Sequence, residues 1–236
     1  MSILDGLLDP QVQFAFGDPR AQWPAILPTE EATLDRAVES RRREFRAGRT
    51  IARQAMRAIA MSPEAISVRA DRSPAWPDGV VGSISHCEDL CVAAVGRADQ
   101  GWLAIGIDIE NRRALPPELV PDICTPEEQD WLTSLPASDR GDYARLIFSA
   151  KECAYKCQHT LSGQLLDFHA LTIRLDLTRG SFVAGFNQTA TPFLPGDELV
   201  GRYRMDAEHI VTAMTLRSEQ MAANAATTQE DWRRHG

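Results

Sequence analysis

Two carboxylates lie two residues apart in the segment AIGIDIE, residues 104–110. If this segment is a β-strand, Asp108 and Glu110 share one face with Gly106, because successive side chains of a strand point to opposite faces. Two neighbouring carboxylates repel each other, so the pair is stable when both groups are hydrated or when a cation lies between them. The spacing alone leaves open a strand face that simply meets water, which is common in antiparallel sheets.

A third carboxylate, Glu152, lies in the segment FSAKECAYK, residues 148–156, which is predicted to be helical. Lys156 follows it by four residues, and such a pair on a helix surface contributes only about 0.2–0.5 kcal/mol. The alternative is that Glu152 faces Asp108 and Glu110. Three carboxylates, together with water and a phosphate, would suit Mg²⁺, which prefers six oxygen ligands.

The same segment contains both lysines of the chain, Lys151 and Lys156, although Lys and Arg together number 25. A general preference for arginine explains the arginines, but it does not explain two lysines five residues apart. Lysine carries a compact charge on a flexible stem, whereas the arginine group is a planar fork. We therefore expect the two lysines to act beside the acids, where they would neutralise phosphate oxygens.

Ser85 and His86 end the apolar segment VVGSISH, residues 80–86. A serine hydrolase is a weak interpretation, because the sequence has no G-x-S-x-G elbow. Adjacent residues of a regular strand also point to opposite faces, which separates a serine nucleophile from a histidine base.

Two pairs of cysteines, with His86 and His159 nearby, raise the question of zinc: Cys87 with Cys91, and Cys153 with Cys157. Structural zinc sites usually use Cys-x-x-Cys spacing, which neither pair has. Because free cysteine is often buried as a small apolar residue, we expect these cysteines to pack in the core.

Seven arginines are concentrated on a predicted helix: Arg41, Arg42, Arg43, Arg46, Arg49, Arg53 and Arg57. Most of them are expected to form a solvated face. In a chain of net charge −8, however, such a concentration could also hold an anionic small molecule. The phosphates of that molecule would not be held by a P-loop or a G-x-G-x-x-G turn, because neither motif occurs.

Hydrophobic periodicity predicts the elements that position these residues. One long helix is expected over 30–60, with a buried face formed by Leu34, Val38, Phe45, Ala52, Met56 and Ile59. Helices are also expected from Thr125 onward, where a capping box begins, and over 142–159. The predicted strands are 80–86, 91–97, 102–110, 170–177, 181–186, 199–205 and 209–216, with the first three as neighbours. Helices followed by strands, twice over, indicate an α+β fold.

Composition excludes several classes of protein. The 236 residues are 44% hydrophobic, which is ordinary for a globular protein. No apolar stretch reaches the roughly 20 residues that cross a bilayer, and the N-terminus lacks the basic start of a secretory signal. Five cysteines without such a signal predict free thiols in the cytoplasm. The acidic pI of about 5.2 argues against nucleic-acid binding.

Four segments, in this order, resemble the 4′-phosphopantetheinyl transferases, in the enterobactin-synthase-component-D-like branch of the surfactin type. They are RRREFRAGRTIAR (41–53), WPDGVVGSISHC (76–87), GIDIE (106–110) and FSAKECAYK (148–156), and the resemblance extends over roughly residues 30–216. These enzymes transfer the phosphopantetheine arm of coenzyme A to a serine of an apo acyl or peptidyl carrier protein and release adenosine 3′,5′-bisphosphate.

The resemblance implies a monomer of two similar α+β halves with pseudo-two-fold symmetry and an active site in the cleft between them. The halves would be 1–112 and 113–217, followed by a flexible tail over 218–236. The implied partners are coenzyme A and a carrier protein, without nucleic acid or a membrane span. The implied metal is Mg²⁺, although Mn²⁺ accepts the same oxygen ligands.

The resemblance also implies roles for individual residues. Asp108, Glu110 and Glu152 would bind the metal. Glu152, Lys156 and Lys151 would be catalytic, with Glu152 as the base, directly or through a metal-bound water, and Lys151 as the alternative base. Coenzyme A would be bound by Arg41, Arg49, Arg69, Arg72, Ser85, His86, Lys151 and Lys156. Another magnesium-dependent nucleotide or phosphodiester enzyme and an inactive carrier-binding scaffold are the alternatives.

Overall fold

The structure is a computed structural model that describes residues 3–31, 34 and 37–221. The α-helices are α1 (Pro28–Glu31), α2 (Glu39–Ala58), α3 (Val120–Ile123), α4 (Pro126–Ser134) and α5 (Arg140–Ser162). The strands of the first half of the chain are β1 (Gln13–Gly17), β2 (Ser67–Val68), β3 (Pro74–Ala75), β4 (Val80–His86), β5 (Cys91–Arg97) and β6 (Trp102–Asn111). Those of the second half are β7 (Leu171–Asp176), β8 (Ser181–Phe186), β9 (Glu198–Met205) and β10 (His209–Arg217).

The strands form two main antiparallel sheets and one small hairpin. The first sheet has the order β1-β5-β4, the second has the order β6-β10-β9-β8-β7, and β2 pairs with β3. Helix α2 packs on the first sheet and α5 packs on the second, so that each sheet buries one face under a helix. The predicted α+β class is confirmed.

The prediction of a single helix over residues 30–60 is wrong, because α1 ends at Glu31 and α2 begins at Glu39. Val38, the residue before α2, has an extended backbone (φ −68°, ψ 157°) and is 69% exposed, so it is no part of the buried face. Before this point, the Glu30 carboxylate lies in the core, where it accepts two hydrogen bonds from Arg53 and one from the backbone N–H of Ile66. Arg53, expected on a solvated face, is therefore a buried structural residue.

Most other predicted elements lie where the sequence placed them. The capping box at the start of α4 is present: Thr125 accepts a hydrogen bond from the Glu128 backbone N–H, and the Glu128 carboxylate accepts one from the Thr125 N–H. Strand β1, however, is not among the predicted strands. It pairs with β5, with Phe14 opposite Ala94, and so adds an edge to the first sheet. The predicted frayed tail lies, from residue 222 onward, outside the described residues.

The sequence predicted that β6 is a neighbour of β5, but the two strands do not pair. Strand β6 pairs with β10, and Asp108 lies opposite Thr212. On its other side β6 is joined to β4 by side chains: the Ile107 N–H donates to Ser83 Oγ at 3.2 Å, and the Ile109 N–H donates to Ser85 Oγ at 3.4 Å. Two serine hydroxyls thus act as the acceptors that strand carbonyls usually supply, and they connect the two sheets.

Helix α5 crosses β6 at very short range, and Gly106 makes this approach sterically feasible. A Cβ atom at Gly106 would lie 2.0 Å from the backbone carbonyl oxygen of Cys153, closer than any real contact. The helix presents small buried side chains to the sheet, among them Ala150 and Ala154. Because of this close packing, side chains of α5 reach the face of β6 that carries Asp108.

No described helix is both long enough and apolar enough to cross a membrane.

We predict that Gly106→Ala lowers the free energy of unfolding by about 3 kcal/mol, because helix backbone rather than a flexible side chain opposes the new methyl group. Urea unfolding measures this loss. The matched control is Gly185→Ala in β8, whose Cβ would meet its nearest atom at an ordinary 3.5 Å and which should change stability much less. Equal effects of the two substitutions would contradict the close packing of α5 on β6.

Candidate functional site

Asp108 lies at the centre of a hydrogen-bond network that connects both sheets and α5. Its side chain is 4% exposed. One carboxylate oxygen accepts from Lys156 Nζ at 2.6 Å and from Ser85 Oγ at 2.8 Å. The other oxygen accepts from Ser149 Oγ at 2.8 Å. Three donors from β4 and α5 therefore fix an ionised carboxylate that would otherwise be costly to bury.

Burial, and after it the charge of Asp108, raises the pKa of both Glu110 and Glu152. The pKa of Glu110 is raised to about 7, chiefly by burial and also by the Asp108 charge, while Arg145, whose Nη1 lies 3.3 Å from a Glu110 oxygen, opposes the shift. Burial also raises the pKa of Glu152, while Lys156 lowers it and Asp108 raises it. The structure therefore brings the three sequence-predicted acids into one electrostatic region.

Only oxygen ligands are offered by these three acids, which suits Mg²⁺ or Mn²⁺. Their oxygens do not all lie within 4.8 Å of one another in the described structure, so a cation would draw them together. After burial, repulsion by Asp108 is the next largest cause of the raised Glu110 pKa, and a bound cation would relieve that repulsion. The residues present thus fit a hard divalent ion.

A cavity of about 840 Å³ opens beside Lys156, bounded by α2, the β2–β3 hairpin, β4 and α5. Six of the sequence-predicted binding residues line it: Arg41, Arg49, Arg69, Arg72, His86 and Lys156. Five of these side chains are cationic, although the whole chain is acidic. Three carboxylates, those of Glu44, Asp71 and Asp78, also line the cavity, so the five cations leave a positive excess that favours an anionic ligand.

Arg49 and His86 show how α2 and β4 shape this cavity. The Arg49 guanidinium is buried, stacks 4.2 Å above the Phe45 ring and donates to the Ile66 carbonyl, and burial lowers its pKa to about 10. His86 Nε2 lies 3.1 Å from Arg41 Nη1, which can only donate, so this nitrogen accepts. Burial lowers the His86 pKa, in agreement with a neutral ring.

Sequence reasoning missed the aromatic and further polar residues of the cavity. Tyr155 and His159 line it from α5, with their rings 5.4 Å apart, and Trp76 lines it from the loop before β4. The Nε2 atom of His159 is buried without a hydrogen-bond partner. Helical spacing could have identified His159, three residues after Lys156, and Tyr155, four residues before His159, because residues three or four positions apart are neighbours on a helix surface.

Ser85 occupies a different position from the one that the resemblance implied. Its side chain points to β6, where the hydroxyl donates to Asp108 and accepts from Lys156 Nζ at 3.0 Å. Ser85 is buried and does not line the cavity, whereas His86, on the opposite face of β4, does. The geometry therefore makes Ser85 a support for Asp108 and leaves the expected phosphate contact to His86.

Lys151 requires a correction. It points away from Asp108, its side chain is 1% exposed, and its Nζ lies 2.8 Å from a Glu128 oxygen. It also donates to the backbone carbonyls of Ile123 and Phe168, both at 2.8 Å. Three acceptors hold this ammonium in the core between α4 and α5, out of reach of a phosphate or a substrate proton. Lys151 is therefore a structural residue.

The cysteines are free thiols, and Cys91, Cys153 and Cys157 are fully buried. Burial raises the pKa of the Cys91 and Cys157 thiols to about 12. These three cysteines pack in the core, as expected. Neither predicted pair gathers with His86 or His159 into a metal site among the described residues.

We predict that Lys151→Met destabilises the fold by about 3–5 kcal/mol, because Glu128 then remains buried and unpaired. Binding of inorganic pyrophosphate, used as a probe of the cavity, should stay unchanged in the folded fraction. Unfolding curves and a binding titration measure the two effects separately. The double variant Lys151→Met/Glu128→Gln keeps the hydrogen bonds of the helix cap without the charge and should recover part of the lost stability. Normal stability with weaker pyrophosphate binding would restore Lys151 to the site.

We predict that the ionised side chain of Glu110 lowers the free energy of unfolding at high pH. Because its pKa is raised in the folded state, the folded chain holds this proton more tightly than the unfolded chain, and stability falls as pH rises from 4.5 to about 7. Without metal, Glu110→Gln should raise the free energy of unfolding by up to about 3 kcal/mol near pH 8 and by almost nothing near pH 4.5. Glu64→Gln, in an exposed loop, is the control. A gain that is independent of pH would contradict this assignment.

Comparisons with known proteins place these residues in a family. A family model described as the 4′-phosphopantetheinyl transferase superfamily matches residues 104–230, and one described as the 4′-phosphopantetheinyl transferase N-terminal domain matches residues 29–96. The chain is 35% identical over 215 residues to the 4′-phosphopantetheinyl transferase Svp of Streptomyces mobaraensis, covering 87% of this chain and 82% of that protein.

Two further relatives agree. The chain is 33% identical to the 4′-phosphopantetheinyl transferase PptT of Mycobacterium tuberculosis, over 85% of this chain and 89% of that protein. It is 37% identical to enterobactin synthase component D of Salmonella typhi over 52% of this chain and 50% of that protein. With a family model over more than half of its length and relatives that match most of it, the chain belongs to the 4′-phosphopantetheinyl transferase superfamily and is a 4′-phosphopantetheinyl transferase.

Proposed function

We propose that this enzyme transfers the 4′-phosphopantetheine group of coenzyme A to a serine of an apo acyl or peptidyl carrier protein, with Mg²⁺ as the metal and adenosine 3′,5′-bisphosphate as the second product. The observation that carries the proposal is the position of Lys156. It lines the basic cavity and also contacts Asp108, so that one side chain connects a place for phosphates with a cluster of three acids.

The cavity suits the nucleotide end of coenzyme A. A 3′-phosphate and a pyrophosphate bring about four negative charges, which Arg41, Arg49, Arg69 and Arg72 would offset together with Lys156. The aromatic rings of Trp76 and Tyr155 provide flat surfaces for a purine. The chain as a whole is acidic and would repel an acidic carrier protein. This local concentration of cations would attract the carrier to the cavity instead.

Asp108, Glu110 and Glu152 would hold Mg²⁺. When bound, the ion would stabilise negative charge on the pyrophosphate. Asp108 is already fixed by Ser85 and Ser149, so that Glu110 and Glu152 would make most of the movement that brings the three acids to a cation. Lys156 would then donate to phosphate oxygens and stabilise the charge that develops as the nucleotide leaves.

The transfer requires a base, because a serine hydroxyl is a poor nucleophile at its own pKa. We assign this role to Glu152, whose pKa burial raises towards the working pH. The serine oxygen forms a bond to the β-phosphorus, the bond from that phosphorus to the bridging oxygen breaks, and the serine proton passes to Glu152. The electron pair of the broken bond leaves with adenosine 3′,5′-bisphosphate.

The finer features of the architecture belong to the same proposal. We propose a monomer of two halves, residues 1–112 and 113–217, with pseudo-two-fold symmetry and the site in the cleft between them. Each half contains one main helix, α2 or α5, and both contribute to the cavity. Five free thiols favour a reducing compartment such as the cytoplasm.

We predict that Glu152→Gln keeps the fold but lowers transfer by at least about a thousandfold, because a base and a metal ligand are lost together. The assay incubates enzyme, coenzyme A, Mg²⁺ and an apo carrier protein, and measures the serine-linked mass gain and the nucleotide released.

The matched control is Glu127→Gln, an exposed glutamate of α4, which should retain full activity. Nucleotide release without carrier modification by the unaltered enzyme would indicate a nucleotide or phosphodiester enzyme instead. Binding of the carrier without either product would indicate a scaffold. Near-normal turnover of the Glu152 variant would remove this residue from the mechanism.

A further inference from the structure

Cys87, Asp89 and His209 converge at the end of β4 that lies beyond His86. The Asp89 Oδ1 atom is 3.5 Å from Cys87 Sγ and 3.0 Å from His209 Nε2. One ligand atom from each residue lies within 4.8 Å of the others, the one such group of three among the described residues. None of these residues belongs to the proposed transfer site.

Two of the three pairs of atoms already have nearly the spacing of a metal-bound set, and the third pair, Cys87 Sγ and His209 Nε2, lies within 4.8 Å. Zinc binds thiolate sulfur at about 2.3 Å and imidazole nitrogen or carboxylate oxygen at about 2.0–2.1 Å, which places tetrahedral neighbours about 3.3–3.6 Å apart. The distances of 3.5 Å and 3.0 Å are within a few tenths of these values. Small side-chain movements would therefore complete three corners of a tetrahedron, and water would supply the fourth.

Asn111 holds the carboxylate in place from a second strand. Its amide nitrogen donates to Asp89 Oδ1 at 2.8 Å, and its amide oxygen accepts the Glu88 backbone N–H at 3.2 Å. Outer hydrogen bonds of this kind orient the carboxylate ligands of metal sites. His209 is nearly buried, so its ring is also restricted in orientation.

We propose that Cys87, Asp89 and His209 form a binding site for one zinc-class divalent cation, separate from the oxygen-only magnesium site. The mixed sulfur, nitrogen and oxygen donors select a borderline-soft ion over Mg²⁺. On binding, the Cys87 thiol loses its proton to the solvent and a sulfur–metal bond forms, while the histidine binds as neutral imidazole.

The position of the site indicates what the cation would do. Cys87 and Asp89 belong to the turn between β4 and β5 of the first sheet, and His209 begins β10 of the second. A cation would therefore link the two sheets directly, beside the serine contacts between β4 and β6. Because it would bind the folded chain in preference to the unfolded one, it would raise thermal stability.

Cobalt provides a direct spectroscopic test of the ligands. The full chain, stripped with a chelator and kept reduced, is titrated with Co²⁺, then with Zn²⁺ in competition. We expect one equivalent of Co²⁺ to produce a sulfur-to-cobalt charge-transfer band that Zn²⁺ abolishes. The band should be absent in Cys87→Ser and in His209→Gln, and Asn111→Ala should weaken binding about 10- to 100-fold.

The controls separate this site from the rest of the protein. Glu88→Gln, next to the cluster, His169→Gln, at an exposed histidine, and Glu152→Gln should all retain the band. Because Glu152→Gln is expected to abolish the proposed transfer but leaves the cluster intact, a retained band would show that cation binding at Cys87 does not depend on that function. Absence of the band in the unaltered chain, or its persistence in the folded Cys87→Ser variant, would overturn the proposal.

Thermal unfolding gives a second, independent readout. Zn²⁺ alone should raise the melting temperature of the unaltered chain and not that of Cys87→Ser, with circular dichroism confirming that both are folded. Equal stabilisation of the two proteins would overturn the assignment of these ligands.

Discussion

The hydrogen bonds to Asp108 are the interaction on which the rest of the structure depends. This carboxylate is buried between β4, β6 and α5, and it is stable there because Ser85, Ser149 and Lys156 all donate to it. Each donor comes from an element that must pack closely for the contact to exist. Gly106 makes one of these approaches feasible by leaving room for the α5 backbone. Chemistry and packing are thus set by the same few atoms.

The spacing of the acids within each element could be predicted from the sequence because its signals are local, whereas their joint role was implied only by the resemblance of four segments to a known family. Strand alternation places Asp108 and Glu110 on one face, and the α5 sequence places Glu152 and Lys156 within about one turn of each other. Capping chemistry at Thr125 is equally local, and the helix begins there as expected. These predictions needed no knowledge of which element packs against which.

The wrong predictions concern partners that are distant in the chain. Nothing in the sequence near Lys151 reveals that Glu128 and two carbonyls surround it, so two lysines that look equivalent in sequence have different roles. Strand β6 looks like the neighbour of β5, yet it pairs with β10, about a hundred residues later. Helix α2 begins only at Glu39, and Glu30, expected in the first turn of that helix, lies instead in the core beside Arg53. Such choices depend on tertiary contacts, which periodicity does not encode.

The Ser85 hydroxyl lies at the junction of β4 and β6. The Ser85 hydroxyl has a single proton, which it gives to Asp108, while its lone pairs face the Ile109 amide and the Lys156 ammonium. The same hydroxyl therefore serves the contact between the two strands and the two charged groups of the proposed site, so a displacement of Asp108 or Lys156 would also alter the hydrogen bonding that joins β4 to β6.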